Sequence, residues 1–237
     1  MNGIFRSYSS LKELNINNFN INNEKSIHGM FSDCSSLNKI NINTLTINNS
    51  KSFYHIFSGC LALKEININT FNINDVSNFY HMFDDCLSLN KIKIINFNII
   101  NSNNIYHMFD GCSTLNEINI NTFTIHNSES FFDIFNRCAA LKKIKIINFN
   151  INNSNSIYHM FEECSALKEI NINTFNINNA SGLYHIFSEC SSLEELNINN
   201  FITTKMNGIY DWFSGCSNEL IKKIKTRYKN INESAFK

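Results

Sequence analysis

Met108-Phe109-Asp110-Gly111-Cys112-Ser113-Thr114-Leu115-Asn116-Glu117-Ile118-Asn119-Ile120-Asn121-Thr122-Phe123 is the stretch that decides the fold, because its spacing returns along the whole chain. Cysteine recurs at 34, 60, 86, 112, 138, 164, 190 and 216, always 26 residues apart. A period of that length marks a tandem array that folds by stacking. Count outward from each Cys as zero. Position −3 is Phe in every copy, from Phe31 to Phe213, position −4 is Met, Ile or Trp, and position −7 is Ile, Phe or Leu. Apolar residues at −7, −4, −3 and 0 trace one face of a helix. A small residue at −8 (Ser26, Ser52, Asn78, Asn104, Ser130, Ser156, Gly182, Gly208) stands where an N-cap would. The spacing therefore predicts a helix of about two turns ending near each Cys.

Beyond the Cys the period changes. Leu at +3, Ile or Leu at +6 and Ile at +8, as in Leu115, Ile118 and Ile120, alternate like a strand with one buried face. Phe or Leu at +11 and Ile at +13, as in Phe123 and Ile125, form a second alternating pair. The odd step between +8 and +11 reverses the phase and places a corner there. The fold class that follows is α/β: a solenoid with one short strand and one short helix per 26-residue turn. Residues 1–216 make about nine such turns, the first partial, since Tyr8 takes the Cys slot ahead of Leu11, Leu14, Ile16, Phe19 and Ile21. After Cys216 the register breaks, with Glu219 in the Leu slot and Leu220 one residue late. Residues 217–237 read as a basic capping segment whose Leu220, Ile221, Ile224 and Tyr228 suit a helix laid across the last turn. A basic docking patch is the other reading of that segment. The shared KIKIINFNI of residues 91–99 and 143–151 reflects duplication of a longer pair of repeats.

Composition narrows the function classes. Twenty Lys and Arg balance twenty Asp and Glu, so no net field draws nucleic acid or an anionic membrane. No apolar run reaches the roughly 18 residues of a membrane span, and Met1 leads straight into repeat sequence without a signal pattern. Because Ile4 and Phe5 already lie mid-repeat, the chain reads as a fragment of a longer protein, with a cytoplasmic protein as the alternative.

The string MFxxCxxLxxLxLxxF resembles the BspA-type leucine-rich-repeat surface proteins and the lipoprotein-associated repeats of the same length. It stands here as Met108, Phe109, Cys112, Leu115, Ile118, Ile120 and Phe123, and as Met160, Phe161, Cys164, Leu167, Ile170, Ile172 and Phe175. The chain departs from that pattern at +13, where Ile replaces a common Thr, and at +16, where Ser or Ala (Ser50, Ser102, Ser128, Ser154, Ala180) mostly replaces Val. The resemblance implies a right-handed superhelix and a secreted or surface-anchored adhesion module. It carries over no catalytic residue.

Three columns are candidate chemistry. Cys in phase with Met and Phe reads as a small buried hydrophobe. Parallel stacking suits disulfides poorly, and no close Cys/His cluster points to zinc, so no metal or cofactor is expected. His55, His81, His107, His159 and His185, each preceded by Tyr (Tyr54, Tyr80, Tyr106, Tyr158, Tyr184), are placed on the helix face opposite the core. There they are either copied surface residues or a recognition strip. A metal ladder or pH sensor is the least favoured alternative. The third column is the outward strand face: Asn67, Asn69, Lys93, Ile95, Asn119, Asn121, Lys145, Ile147, Asn171 and Asn173. It reads as a solvated ladder or a surface for a protein or glycan ligand. No catalytic arrangement stands out of the repeated background. The expected function is a noncatalytic binding scaffold. Its rivals are an intracellular protein-interaction repeat and, further off, a carbohydrate-active solenoid enzyme. An uncapped first turn would also allow end-to-end self-association.

Overall fold

Ser52-Phe53-Tyr54 and its equivalents combine residue types that fit a pleated backbone, and they form strands. The computed structural model describes residues 2–22, 26–48, 52–74, 78–94, 98–99, 104–126, 130–152, 156–172, 182–198 and 208–237. Short strands at Ile27–His28, Ser52–Tyr54, Asn78–Tyr80, Asn104–Tyr106, Ser130–Phe132, Ser156–Tyr158, Gly182–Tyr184 and Gly208–Tyr210 make one eight-stranded sheet. The strands that follow the cysteines build a second face. Glu13–Asn22, Lys39–Asn48, Glu65–Asn74 and Lys91–Ile94 share one sheet. Asn98–Ile99, Glu117–His126 and Lys143–Asn152 share another, and Glu169–Asn171 pairs with Glu195–Asn197. Pairing is parallel and joins each residue to its counterpart one repeat later, as Ile40 to Ile66 and Ile118 to Ile144. The molecule is a β-solenoid.

The expected helix in each coil does not form, and this corrects the α/β assignment. Among the described residues the one α-helix is α1 (Asn218–Arg227), after the last Cys. Residues −8 to −6 are strand instead, and the residue at −5 turns the chain with a left-handed backbone. Gly29, His55, His81, His107, Asp133, His159, His185 and Asp211 all have φ between +49° and +55°. A second left-handed position precedes each Cys, at Asp33, Gly59, Asp85, Gly111, Arg137, Glu163, Glu189 and Gly215. Between them the backbone N–H groups still reach the next coil, as His55 N to Tyr80 O at 3.2 Å and Phe57 N to Met82 O at 2.9 Å. Alternate donors of the corner, such as those of His55, Phe57 and Gly59, are thus paired with the next coil.

The apolar columns lie where the spacing put them. Ile27, Met30, Phe31, Cys34, Leu37, Ile40, Ile42, Leu45 and Ile47 of one coil are all buried. In the strand Lys39–Asn48 the buried set shifts phase after Ile42, with Asn43 exposed and skipped by the pairing register. The phase reversal is where it was anticipated, but one continuous strand spans it in this coil in place of two segments joined by a corner. The Phe rings at −3 stack as a spine from Phe5 to Phe213, with centroids 5.2–5.9 Å apart and planes within 15°. Beside it, every Cys Sγ donates to the carbonyl of the Phe 29 residues earlier, at 3.0–3.2 Å. All eight cysteines are free thiols.

At the C-terminal end, α1 starts at its N-cap Ser217, whose side chain accepts from Leu220 N, and it buries Leu220 and Ile224. The chain then imitates one further rung. Asp211 N donates to Ser234 O and Phe213 N to Ala235 O, while Phe236 stacks on Phe213 at 5.3 Å. Lys225 Nζ lies 4.5 Å above the Phe236 ring.

Candidate functional site

Register converts each repeated surface residue into a row. On the long-strand face the amides hydrogen-bond to one another. Asn41 Nδ2 donates to Asn15 at 2.7 Å and Asn67 Nδ2 to Asn41 at 2.9 Å, and Asn17, Asn43 and Asn69 repeat this at 3.2 and 3.1 Å. Each ladder bond uses one N–H and one lone pair of a carboxamide that has two of each, and Asn67 gives its second N–H to Glu65 Oε1 at 3.0 Å. Lys93 and Asn119 are exposed on the same face, and Asn171 pairs in register with Asn197. Ile95 and Asn173 lie outside the described residues, as do the side chains of Asn121, Lys145 and Ile147.

Charges at +5 form another row on this face, of alternating sign. Glu13, Lys39, Glu65 and Lys91 lie opposite one another in turn, with Lys91 Nζ 3.3 Å and Lys39 Nζ 3.9 Å from Glu65. The Asn67 amide and Lys91 hold the Glu65 carboxyl below its ordinary range. Alternation fails at Glu169 opposite Glu195, and Lys223 of α1 reaches Glu195 at 3.2 Å to supply the missing cation. At the same place the sheet and α1 enclose a cleft of about 410 Å³. Lys143, Glu169, Asn171, Glu195, Asn197 and Arg227 line it over Ile144, Ile170 and Leu196. The sequence reading missed this cleft because Arg227 arrives from a different element.

The Tyr and His side chains also form rows, but not on a helix face and not fully in solvent. Tyr54, Tyr80, Tyr106 and Phe132 stack at 4.6–4.9 Å, and Tyr158, Tyr184 and Tyr210 at 4.7 and 5.6 Å. His55, His81 and His107 stack at 4.4 and 4.5 Å, His159 on His185 at 4.9 Å. All ten of the paired Tyr and His are half-buried. Because the rings face one another, edges rather than faces meet the solvent.

Carboxylates at −2, which sequence reasoning passed over, complete this row. His81 Nδ1 lies 2.8 Å from Asp84, His107 Nδ1 lies 2.8 Å from Asp110, and His159 Nδ1 bonds Glu162. The His107 ring also faces Asp133, with Nε2 3.6 Å away. Burial alone would depress His107, but the hydrogen bond to Asp110 and the Asp133 charge outweigh it and hold the imidazole above its ordinary value. Asp110, 4% exposed, is likewise held low against the effect of burial by His107 and by Arg137 Nε at 2.9 Å. His55 has Ser58 at −2 and sits between His28 and His81, and burial followed by those neighbours lowers it to about 4. Two groups bring possible metal-ligand atoms within 4.8 Å of one another: His55 with His81 and Asp84, and His159 with Glu162 and His185.

Two parallel faces wrapped around stacked Phe and Cys columns define a β-solenoid repeat protein. The chain belongs to the family described as Mycoplasma protein of unknown function, DUF285, whose model matches residues 1–96, 51–144 and 103–227. No curated protein matches. Two solved structures do. A leucine-rich repeat protein from Bacteroides ovatus is 18% identical with a TM-score of 0.35, and the match covers 91% of this chain and 64% of that one. A leucine rich cell surface protein from Faecalibacterium prausnitzii is 14% identical with a TM-score of 0.33, covering 77% of this chain and 60% of that one. The chain therefore spans less than two thirds of either protein.

Proposed function

We propose that this chain is a noncatalytic binding scaffold of the leucine-rich-repeat kind, acting as an adhesion or protein-interaction module on a surface or in secretion. The observation that carries the reading is the amide ladder Asn15, Asn41 and Asn67, held in register on one face. Rows spaced by the strand repeat of about 4.8 Å suit an extended protein segment or a glycan lying along the axis. The charged cleft between the sheet and α1 gives such a ligand an end point, with Lys143 and Arg227 beside Glu169. The Tyr row supports binding less, since stacking already occupies its ring faces.

The test uses labelled protein on a glycan array and on immobilised matrix proteins. Lys93→Glu, Asn119→Lys and Arg227→Glu change exposed strand-face or cleft positions, and Tyr80→Ser and Tyr184→Ser change the aromatic row. Loss of binding in the first set alone supports the assignment. Loss confined to the second set moves the site to the other face, and shortened glycan products would make the protein an enzyme.

A further inference from the structure

We propose that the solenoid binds two divalent transition-metal cations, one at His55, His81 and Asp84 and one at His159, Glu162 and His185. In each group the ligand atoms already lie within 4.8 Å of one another. Bonds of about 2.0–2.2 Å to nitrogen and oxygen draw ligands to roughly 3.2–3.6 Å apart, so closure asks for side-chain tip movements of at most about 1.5 Å. The cation would take the place of the proton now shared between His81 and Asp84, or between His159 and Glu162.

The backbone prepares both groups. The imidazoles come from adjacent coils, and their α-carbons are fixed by ladder bonds such as His81 N to Tyr106 O and His159 N to Tyr184 O. Tyr80 stands edge-on to His55, and Tyr106 to His81, with interplanar angles of 83° and 87°. The rings stack nearly parallel, within 11° in the first group and 6° in the second, so binding a shared cation also requires the imidazoles to rotate until their in-plane lone pairs converge.

The neighbouring coil shows what the arrangement requires. His107 stacks on His81 at 4.5 Å and bonds Asp110, but Arg137 already holds that carboxylate at 2.9 Å, and on the other side the next coil puts Asp133 in place of an imidazole. That coil is neutralised without a cation. Two imidazoles and one carboxylate select Zn²⁺, Co²⁺, Ni²⁺ or Cu²⁺ over Mg²⁺ and Ca²⁺. Three protein ligands leave a coordination position open, and the groups reach solvent, with side chains 20% exposed at His81 and 34% at His159 and His185. The sequence expectation of no metal rested on closely spaced Cys and His. Here the ligands converge only because coils stack.

Calorimetry of the chelator-treated chain with ZnCl₂, and the visible spectrum with CoCl₂, test the proposal. Two saturable sites per chain are expected with Zn²⁺ and none with Mg²⁺ or Ca²⁺. Asp84→Asn and Glu162→Gln, which keep shape and both histidines, should each weaken one site by about tenfold or more. His81→Ala and His185→Ala should remove one site each, and His107→Asn should leave two. Circular dichroism and urea midpoints check that every variant is folded. No saturable Zn²⁺ binding up to about 100 μM, or carboxylate variants that bind as the native chain does, would overturn it.

Discussion

Gly29 is the −5 residue of the first complete coil, where later coils place His or Asp, and replacing it separates backbone from function as the reason for that column. Its φ is +52°, and an added Cβ would lie 3.3 Å from Ser32 Cβ and 3.9 Å from His55 O. An L-residue in this region costs about 1–2 kcal/mol. Reduced entropy of the unfolded chain returns about 0.4–1 kcal/mol of that for Ala. The tight Ser32 contact adds to the remainder, so Gly29→Ala should lose about 1–1.5 kcal/mol. Gly29→Asn should lose less, because Asn and Asp tolerate the left-handed region, and β-branched Gly29→Val should lose about 2–3 kcal/mol. Urea midpoints at unchanged m-value measure the series. If Ala matches Gly, and Val costs no more than Ala, the left-handed turn does not dictate this column. The histidines would then need a purely functional explanation.

Three further outcomes are expected. Burial raises the thiols of Cys86, Cys112, Cys138, Cys164 and Cys190 well above the ordinary range and pushes half-buried Cys216 up to about 12. Ellman's reagent at pH 8 should therefore report all eight only in urea, and a fast thiol in the folded chain would contradict this packing. Phe109, fully buried between Phe83 at 5.4 Å and Phe135 at 5.5 Å, should cost about 3–5 kcal/mol as Phe109→Ala. A loss under about 1 kcal/mol would mean the spine is not continuous. For metal-free protein, the lowered His55 pKa means the unfolded chain binds more protons between about 4 and 6.5, so His55 favours folding at pH 7 and that share fades on acidification through this window. His55→Asn should flatten the fall in thermal midpoint from pH 7 to 5, and an unchanged slope would assign it to other groups.

Which residues lie inside was legible, and so was the phase reversal in the long strand, because burial depends on where apolar residues recur. Backbone geometry before the Cys was not. Apolar residues at −7, −4, −3 and 0 satisfy a helical stripe, but a strand ending at Tyr54, a left-handed turn at His55 and a second turn into Cys60 bury the same set. The discriminating signal was the polar column itself. Gly, His and Asp sharing −5 are residue types that accept positive φ, whereas an exposed helix position would have admitted Lys, Glu or Gln as readily. The strand-face amides could be placed as a row from sequence, while the cleft depended on how α1 docks. Asp84, Asp110 and Glu162 were overlooked because their relation to histidine appears only once −5 and −2 share a corner.

Stacking has opposite consequences for the different rows. Phe on Phe and Asn on Asn are satisfied by a copy of themselves, so those columns can extend indefinitely. Imidazoles cannot do so once charged. Two imidazolium groups about 4 Å apart repel by about 4 kcal/mol at an effective dielectric of 20, and His55 and His81 are 4.4 Å apart. The row persists because Asp84, Asp110 and Glu162 stand beside His81, His107 and His159, and because Asp133 interrupts it midway. His55 and His185 have serine at that position, Ser58 and Ser188. Each depends on a neighbouring coil for compensation, and each supplies the second imidazole of a proposed metal site. The departures from perfect repetition are therefore where this array holds chemistry that a uniform ladder would lack.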